Sequence, residues 1–171
     1  LNAEDYGLVG MLAIFSGIAS TIINSGFSVA LTNKLDATHK DYNAVFWFSF
    51  VVSICLYIVL FFSAPLIASF YDRQELVNLS RVIFASFLFS GMAIVPHVIL
   101  FKQLQVKMQA KIDVFALFLS GMCGVLLAFN GFAYWALAIQ STVYVASASL
   151  LKWMVVSWRP SLDFSIEPLK E

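Results

Sequence analysis

The polar side chains most able to contact a ligand lie along one face of a long apolar run near the start of the chain. Small and polar residues recur there at steps of three or four, which places them on one face of a helix. Asn24 and Ser28 are the candidate ligand contacts on this face. It suits either a close helix–helix seam, where small residues are common, or the wall of a hydrated cavity, and the pattern leaves both open. Its members are Ala13, Gly17, Ser20, Thr21, Asn24, Ser28 and Thr32.

Two further candidate binding residues, His97 and Arg81, are ionisable. His97 directly follows Pro96 inside an apolar run, and ionisable groups within membrane spans are costly and usually functional. Since proline removes a backbone donor and commonly kinks a helix, the pair could form a hinge or a proton-sensing site. A histidine bonded to water at the membrane interface is the simpler explanation. Arg81 could bind a phosphate, although a side chain that reaches towards lipid headgroups explains it more simply.

The sequence lacks the motifs of soluble enzymes and of ATP-driven pumps. It contains no P-loop, no G-x-G-x-x-G, no G-x-S-x-G and no H-E-x-x-H. Cys55 and Cys123 both lie in apolar runs, where a free cysteine behaves as a small buried hydrophobe. We therefore expect a protein that is not an enzyme, that has no cofactor or metal, and that has no nucleic-acid partner.

The apolar runs that carry these residues predict an all-α, polytopic transmembrane helix bundle. Of the 171 residues, 61% are hydrophobic and 12% are charged, whereas about a quarter of a soluble domain is charged. The charge-free runs reach the ~20 residues of a spanning helix and lack the alternation of a membrane strand. The last run is divided at Asn130-Gly131, a strong turn signal. This gives five spans, at about 8–32, 43–69, 77–101, 112–129 and 133–156.

The connections between these spans predict the orientation of the chain. Segments 33–42, 102–111 and 152–171 hold eight Lys and Arg residues, and the alternate segments hold two, Arg73 and Arg81. The positive-inside rule places the richer set in the cytoplasm, so the N-terminus lies outside and the C-terminus inside. An external start without a signal sequence suggests a preceding helix. Within this scheme, 102–111 lies along the membrane surface, and Asp113 caps the N-terminus of the fourth span.

A series of short motifs resembles the bacterial polysaccharide transporters, the lipid-linked oligosaccharide (O-antigen-type) flippases of the multidrug/oligosaccharidyl-lipid/polysaccharide exporter superfamily. The first motif is Glu4-Asp5-Tyr6-Gly7-Leu8-Val9-Gly10-Met11. The others, in the order and spacing of that family, are Gly26-Phe27-Ser28-Val29-Ala30-Leu31, Ala44-Val45-Phe46-Trp47, Ala64-Pro65-Leu66-Ile67-Ala68, Val95-Pro96 and Trp158-Arg159-Pro160. The similarity covers essentially the whole chain, as helices two to six of a longer transporter.

The resemblance implies a flippase that works by alternating access between two helix bundles in the bacterial inner membrane. Its partners would be an undecaprenyl-pyrophosphate-linked sugar, the lipid bilayer and the second bundle of the intact chain. The resemblance also implies that the face of Gly17, Asn24 and Ser28 lines the cavity. Many relatives carry a basic residue where this chain has His97, so binding of pyrophosphate there would depend on pH. A multidrug or metabolite antiporter and a non-catalytic membrane scaffold remain alternatives; an antiporter would need acidic residues deep in the helices.

Overall fold

The computed structural model describes residues 3–23, 26–34 and 36–161, and these residues form six helices and no strand. The all-α prediction is therefore confirmed. The long apolar runs form helices because a helix satisfies its own backbone hydrogen bonds, as a lipid environment requires. The helices are α1 (Ala3–Ile23), α2 (Gly26–Asn33), α3 (His39–Phe70), α4 (Leu76–Lys102), α5 (Val106–Phe129) and α6 (Ala133–Val155).

Four helices of the described chain, α1, α3, α4 and α5, are long and apolar enough to cross a membrane. Helix α6 has 23 residues but is more polar. Ser141 and Thr142 satisfy their hydroxyls locally, because each donates a hydrogen bond to the carbonyl of Ala138, at 2.8 and 2.9 Å. The chain is a multi-pass membrane protein, and the span predicted over α6 rests on its length and on its packing against α4 and α5.

One end of the bundle collects most of the basic residues, and we call it the basic end. Helices α2, α4 and α6 finish there, and α3 and α5 begin there. Lys102 links the end of α4 to the end of α2 here, because its ammonium group donates hydrogen bonds to the carbonyls of Leu31, at 3.2 Å, and of Lys34. Lys34 in turn pairs with Asp41 at 3.1 Å. The end of α2, the start of α3 and the end of α4 are thus held in one network.

Helices α3 and α4 form a hairpin with a close contact near its middle. Gly91 of α4 is buried against Ser53 of α3, and a Cβ added at Gly91 would lie 2.0 Å from the Ser53 hydroxyl oxygen. The Ser53 hydroxyl donates a hydrogen bond to the carbonyl of Ser49 at 2.8 Å. Small residues therefore allow the two backbones to approach, as is common between membrane helices.

Helices α5 and α6 form a second hairpin, joined by the turn at Asn130-Gly131, where Gly131 has a positive φ of 80°. A stripe of small residues at steps of four, Ala116, Ser120 and Gly124, is buried on α5. A Cβ at Gly124 would lie 2.6 Å from the side-chain oxygen of Gln140 on α6. The small face of α5 therefore forms a second close helix–helix seam, against α6. The large residues of α5 point away from the bundle; Val114, Phe115, Phe118 and Leu126, among others, are exposed.

The start of α5 differs from the sequence prediction. The helix begins at Val106, six residues before the predicted span, so most of the 102–111 segment extends this helix. Asp113 consequently lies about two turns inside the helix. The interpretation of Asp113 as an N-terminal cap is therefore wrong, since a cap must stand at the first turn, where backbone N–H groups lack partners.

Candidate functional site

A cavity of about 270 Å³, lined by both apolar and ionisable side chains, lies between α4, α5 and α6 near the basic end. Helix α4 contributes His97, α5 contributes Asp113, and α6 contributes Tyr144, Ser149 and Lys152. Because α5 packs along α6 and scarcely touches α4, the cavity has the form of a groove between α4 and α5 with α6 as its floor. We call it the α4–α5 groove. It brings four titratable groups together, His97, Asp113, Tyr144 and Lys152, in a bundle that is otherwise mostly apolar.

Two polar contacts hold α5 at this groove. The carboxylate of Asp113 lies 3.6 Å from the ammonium nitrogen of Lys152, whose side chain is only 13% exposed. The side-chain amide of Gln109 donates to Nδ1 of His97 at 2.6 Å. The first contact joins α5 to α6 and the second joins α5 to α4. Since a mostly buried ammonium group needs a counter-charge, Asp113 compensates Lys152 electrostatically.

Of the two candidate residues whose side chains the structure describes, Arg81 and His97, His97 lies in this groove. Its ring stands at the mouth, exposed, and also borders a smaller cavity beside Thr32 and Asn33 of α2. Helix α4 continues through Pro96, which is fully buried. His97 is therefore positioned to meet a polar group that enters at the basic end. Its role in substrate binding stays a prediction.

Asp113 and Lys152 are groove residues, whereas the sequence pattern predicts Asp113 at a helix start and Lys152 in a connecting segment. A signal for their pairing was present. In a helical hairpin, residues equidistant from the turn come level, because both helices rise by the same amount per residue. The midpoint of Asp113 and Lys152 falls beside the Asn130-Gly131 turn, as does the midpoint of Gly124 and Gln140, which are in contact. Once the turn is located, the register of α5 and α6 predicts that the two charges face each other.

Arg81 lies on α4 far from the groove. Sixteen residues separate it from His97, which corresponds to about 24 Å along a helix. Its guanidinium carbon stands 4.2 Å from the centroid of the Phe61 ring on α3, a distance typical of a cation–π contact. Arg81 and His97 are thus too far apart to bind one phosphate together, and in this structure Arg81 links α4 to α3.

The small and polar face of α1 is not a seam with any described helix of this chain. Helix α1 buries Leu8, Leu12, Ala19 and Ile23. Gly17 and Thr21 are exposed, and a Cβ added at Gly17 would meet nothing within 4 Å. The hydroxyl of Thr21 donates to the carbonyl of Gly17 at 2.9 Å, so it is satisfied without a partner helix.

The other two candidates on this face cannot be located in the same way. Asn24 lies outside the described residues. Ser28 belongs to α2, but its side chain also lies outside the described part of the structure. Both remain predictions from the sequence.

The segment after α6 folds back across the basic end. Ser161 accepts a hydrogen bond from the Trp47 ring nitrogen at 2.9 Å through its carbonyl, and its backbone N–H donates to the buried Asn43 side chain at 2.9 Å. Trp158 packs within 6 Å of the rings of Phe46 and Trp153. This aromatic clasp (residues 156–161 against α3) fixes the end of α6 to the start of α3.

Comparisons with known proteins identify the family of the chain. Residues 1–171 match the family model described as polysaccharide biosynthesis protein. The teichuronic acid biosynthesis protein TuaB of Bacillus subtilis (strain 168) is 30% identical over 155 residues, which cover 90% of this chain and 32% of that protein. The chain thus spans about a third of the length of this relative. No solved structure matches it. Together with the membrane helices, these matches confirm the resemblance seen in the sequence: the chain belongs to the polysaccharide biosynthesis protein family of polysaccharide transporters.

Proposed function

We propose that the intact protein is a flippase that moves a lipid-linked oligosaccharide or polysaccharide precursor from the cytoplasmic to the outer leaflet of the bacterial inner membrane. The carried molecule would be of the undecaprenyl-pyrophosphate type, and movement would occur by alternating access between this bundle and a second one. Membership of a polysaccharide biosynthesis family and several membrane helices support this proposal. The basic end would face the cytoplasm, in line with the positive-inside rule.

The observation that carries the proposal is the contrast between two neighbouring stripes of α1. One stripe consists of Ile14, Ile18 and Ile22, which are 63%, 59% and 43% exposed, as expected of a face towards lipid. The neighbouring stripe, whose members each precede one of these isoleucines in the sequence, contains Gly17 and Thr21. Both are exposed, and both are small or polar. On α5, by contrast, the exposed face consists mainly of large apolar residues. A small, polar and uncovered face on a membrane helix suits the wall of a hydrated passage.

In the proposed mechanism, the sugar headgroup moves along this face while its lipid tail stays in the bilayer. Hydroxyl and amide groups such as those of Thr21 and Asn24 offer hydrogen bonds to sugar hydroxyls. The small side chains at Ala13 and Gly17 leave room for the headgroup. Such a passage needs no strong binding at any one point, since a transporter must also release what it binds.

The test is to fill the face with a bulky apolar side chain in the intact protein. Gly17→Leu should reduce surface polysaccharide at least tenfold and cause lipid-linked precursor to accumulate, because the added side chain occupies the passage. Asn24→Leu should reduce export in the same direction. Gly121→Leu on α5 is the matched control: a Cβ at Gly121 also meets nothing within 4 Å, but the residue lies on a helix whose outer face is apolar. Normal export by Gly17→Leu, with the protein present in the membrane, would contradict the proposal.

A further inference from the structure

The outward side of α5 near the basic end carries an open crevice that no described helix covers. The crevice has a volume of about 490 Å³. Its lining comes from α5 alone and consists of Ala110, Lys111, Val114, Phe115 and Phe118. The opposite side of the same turns is buried, because Ile112 and Ala116 pack into the bundle. Since Phe115 and Phe118 are 55% and 65% exposed, the crevice faces the surroundings of the bundle.

The crevice has a cationic end and an apolar end. Lys111 lies nearest the basic end, and the apolar lining residues beyond it extend over the next two turns, as far as Phe118. Lys107 stands one turn before Lys111 on the same face, and both lysines are exposed. Because the Cα–Cβ bonds of a helix tilt towards its N-terminus, both lysine side chains start out towards the basic end. The order along this face is therefore two cations followed by an apolar channel.

The described part of the chain pairs no carboxylate with these two lysines. The nearest acidic residue in the sequence, Asp113, is paired with Lys152 of α6. The first turn of α5 contains no acidic residue, although the partial positive charge at a helix N-terminus disfavours cations there. Helix α3 begins at the same end of the bundle and has Asp41 in its first turn. Lys107 and Lys111 thus form a positive patch that is complementary to an anion from outside the bundle.

We propose that the crevice binds an anionic phospholipid of the bilayer, with the lipid phosphate at Lys107 and Lys111 and one acyl chain in the apolar part of the crevice. Lysines near a membrane surface attract anionic lipids, and the apolar lining makes van der Waals contacts with the chain. A zwitterionic phospholipid fits the same apolar surface but brings no net negative charge to the lysines. This proposal does not depend on which molecule the transporter carries.

The test measures which phospholipid stands beside the crevice in a reconstituted bilayer. The intact protein, with its own cysteines replaced by alanine, carries one new cysteine that is labelled with a fluorophore. Leu117→Cys is the reporter, because Leu117 is 60% exposed and adjoins the crevice without lining it. Val125→Cys is the control, because Val125 is 55% exposed on the same helix, about two turns beyond Phe118.

The vesicles contain equal amounts of phosphatidylglycerol, which is anionic, and phosphatidylcholine, which is zwitterionic. A fixed fraction of one of the two lipids carries a nitroxide quencher on its acyl chain. The bilayer composition stays the same when the quencher is moved from one lipid to the other. The ratio of the two quenching efficiencies therefore reports the local preference for the anionic lipid.

Quenching at Leu117→Cys should favour the anionic lipid at least threefold, and quenching at Val125→Cys should show no preference. Adding Lys111→Gln should lower the preference at Leu117→Cys at least twofold, and adding Lys107→Gln as well should abolish it. Lys40→Gln is the matched charge control, because it removes one positive charge from the exposed start of α3 at the same end of the bundle. It should leave the preference unchanged.

Equal quenching by the two lipids at Leu117→Cys would overturn the proposal. An equal loss of preference with Lys40→Gln would also overturn it, because the whole basic end would then attract anionic lipid without a site at the crevice. If neither lipid quenched Leu117→Cys while both quenched Val125→Cys, another part of the intact protein would cover the crevice, and the proposal would be wrong. Transport plays no part in this readout, so the proposed flippase activity is tested separately.

Discussion

The contact between Gly91 and Ser53 gives a quantitative test of the α3–α4 hairpin. In Gly91→Ala, the new Cβ would lie 2.0 Å from the hydroxyl oxygen of Ser53, 2.7 Å from its Cβ and 3.1 Å from the carbonyl oxygen of Ser49. Carbon atoms pack best at about 3.5–4.0 Å. Rotating the Ser53 hydroxyl removes the first clash but not the second, so the helices must separate by about 1 Å.

Two opposing contributions determine how much Gly91→Ala changes the free energy of unfolding. Overpacking a well-packed contact costs about 1–3 kcal/mol, whereas replacing glycine by alanine inside a helix gains about 1 kcal/mol. Gly121→Ala has open space around the new Cβ, so this variant shows the gain in helix propensity without the cost of a clash. Gly91→Ala should therefore be less stable than Gly121→Ala by about 1–3 kcal/mol, which is the cost of the clash.

The free energy of unfolding of the purified intact protein can be measured in mixed micelles with increasing SDS, followed by tryptophan fluorescence. Adding Ser53→Gly removes both side-chain clashes, so the double variant should recover most of the lost stability, with a coupling energy of about 1–3 kcal/mol. Equal stabilisation by Gly91→Ala and Gly121→Ala, with no coupling to position 53, would refute the close approach of α3 and α4.

Three further predictions concern the other contacts. Gly124→Ala should be less stable than Gly121→Ala by about 1–2 kcal/mol in the same unfolding assay, because its Cβ meets the α6 side chain; equal stability would contradict the α5–α6 seam. Trp158→Ala should lower the free energy of unfolding by roughly 3 kcal/mol through loss of the aromatic clasp. A change below measurement error would show that the clasp does not stabilise the bundle. Lys102→Met should speed amide hydrogen exchange in residues 31–38, because its ammonium group binds two carbonyls there; unchanged exchange would show that the lysine is not what holds this segment.

The helices follow largely from the distribution of charge along the sequence. The ends of the predicted spans 43–69 and 77–101 lie within four residues of the ends of α3 and α4, because charged residues rarely enter a membrane span. The observed start of α5 lies before the predicted one because the hydrophobic run begins later than the helix. Residues 106–111 are Val-Lys-Met-Gln-Ala-Lys, and Lys, Met, Gln and Ala all favour helix, so helix propensity would have extended the prediction to Val106. The start of α3 has a similar local signal in Thr38 and Asp41, since the Asp41 carboxylate accepts the Thr38 N–H at 2.7 Å.

The candidate site was predictable only in part. The α1 stripe was visible because residues on one helix face follow a fixed period, but the period does not say whether that face is covered. In the structure, no described helix of this chain covers Gly17 or Thr21. Asp113 and Lys152 are 39 residues apart, and their pairing depends on the register of two helices. A hydrophobic pattern contains no information on register, and only the position of the Asn130-Gly131 turn supplies it.

The proposed flippase activity is tested most directly by the membrane leaflet in which the lipid-linked precursor accumulates when the intact protein is depleted from cells. Precursor can be extracted and its sidedness determined with a membrane-impermeant glycosidase or oxidant applied to right-side-out and inside-out vesicles. A flippase predicts that precursor is still synthesised and accumulates in the cytoplasmic leaflet, accessible only in inside-out vesicles. Precursor that is equally accessible in the outer leaflet, or that is no longer synthesised, would contradict a role in moving it across the membrane.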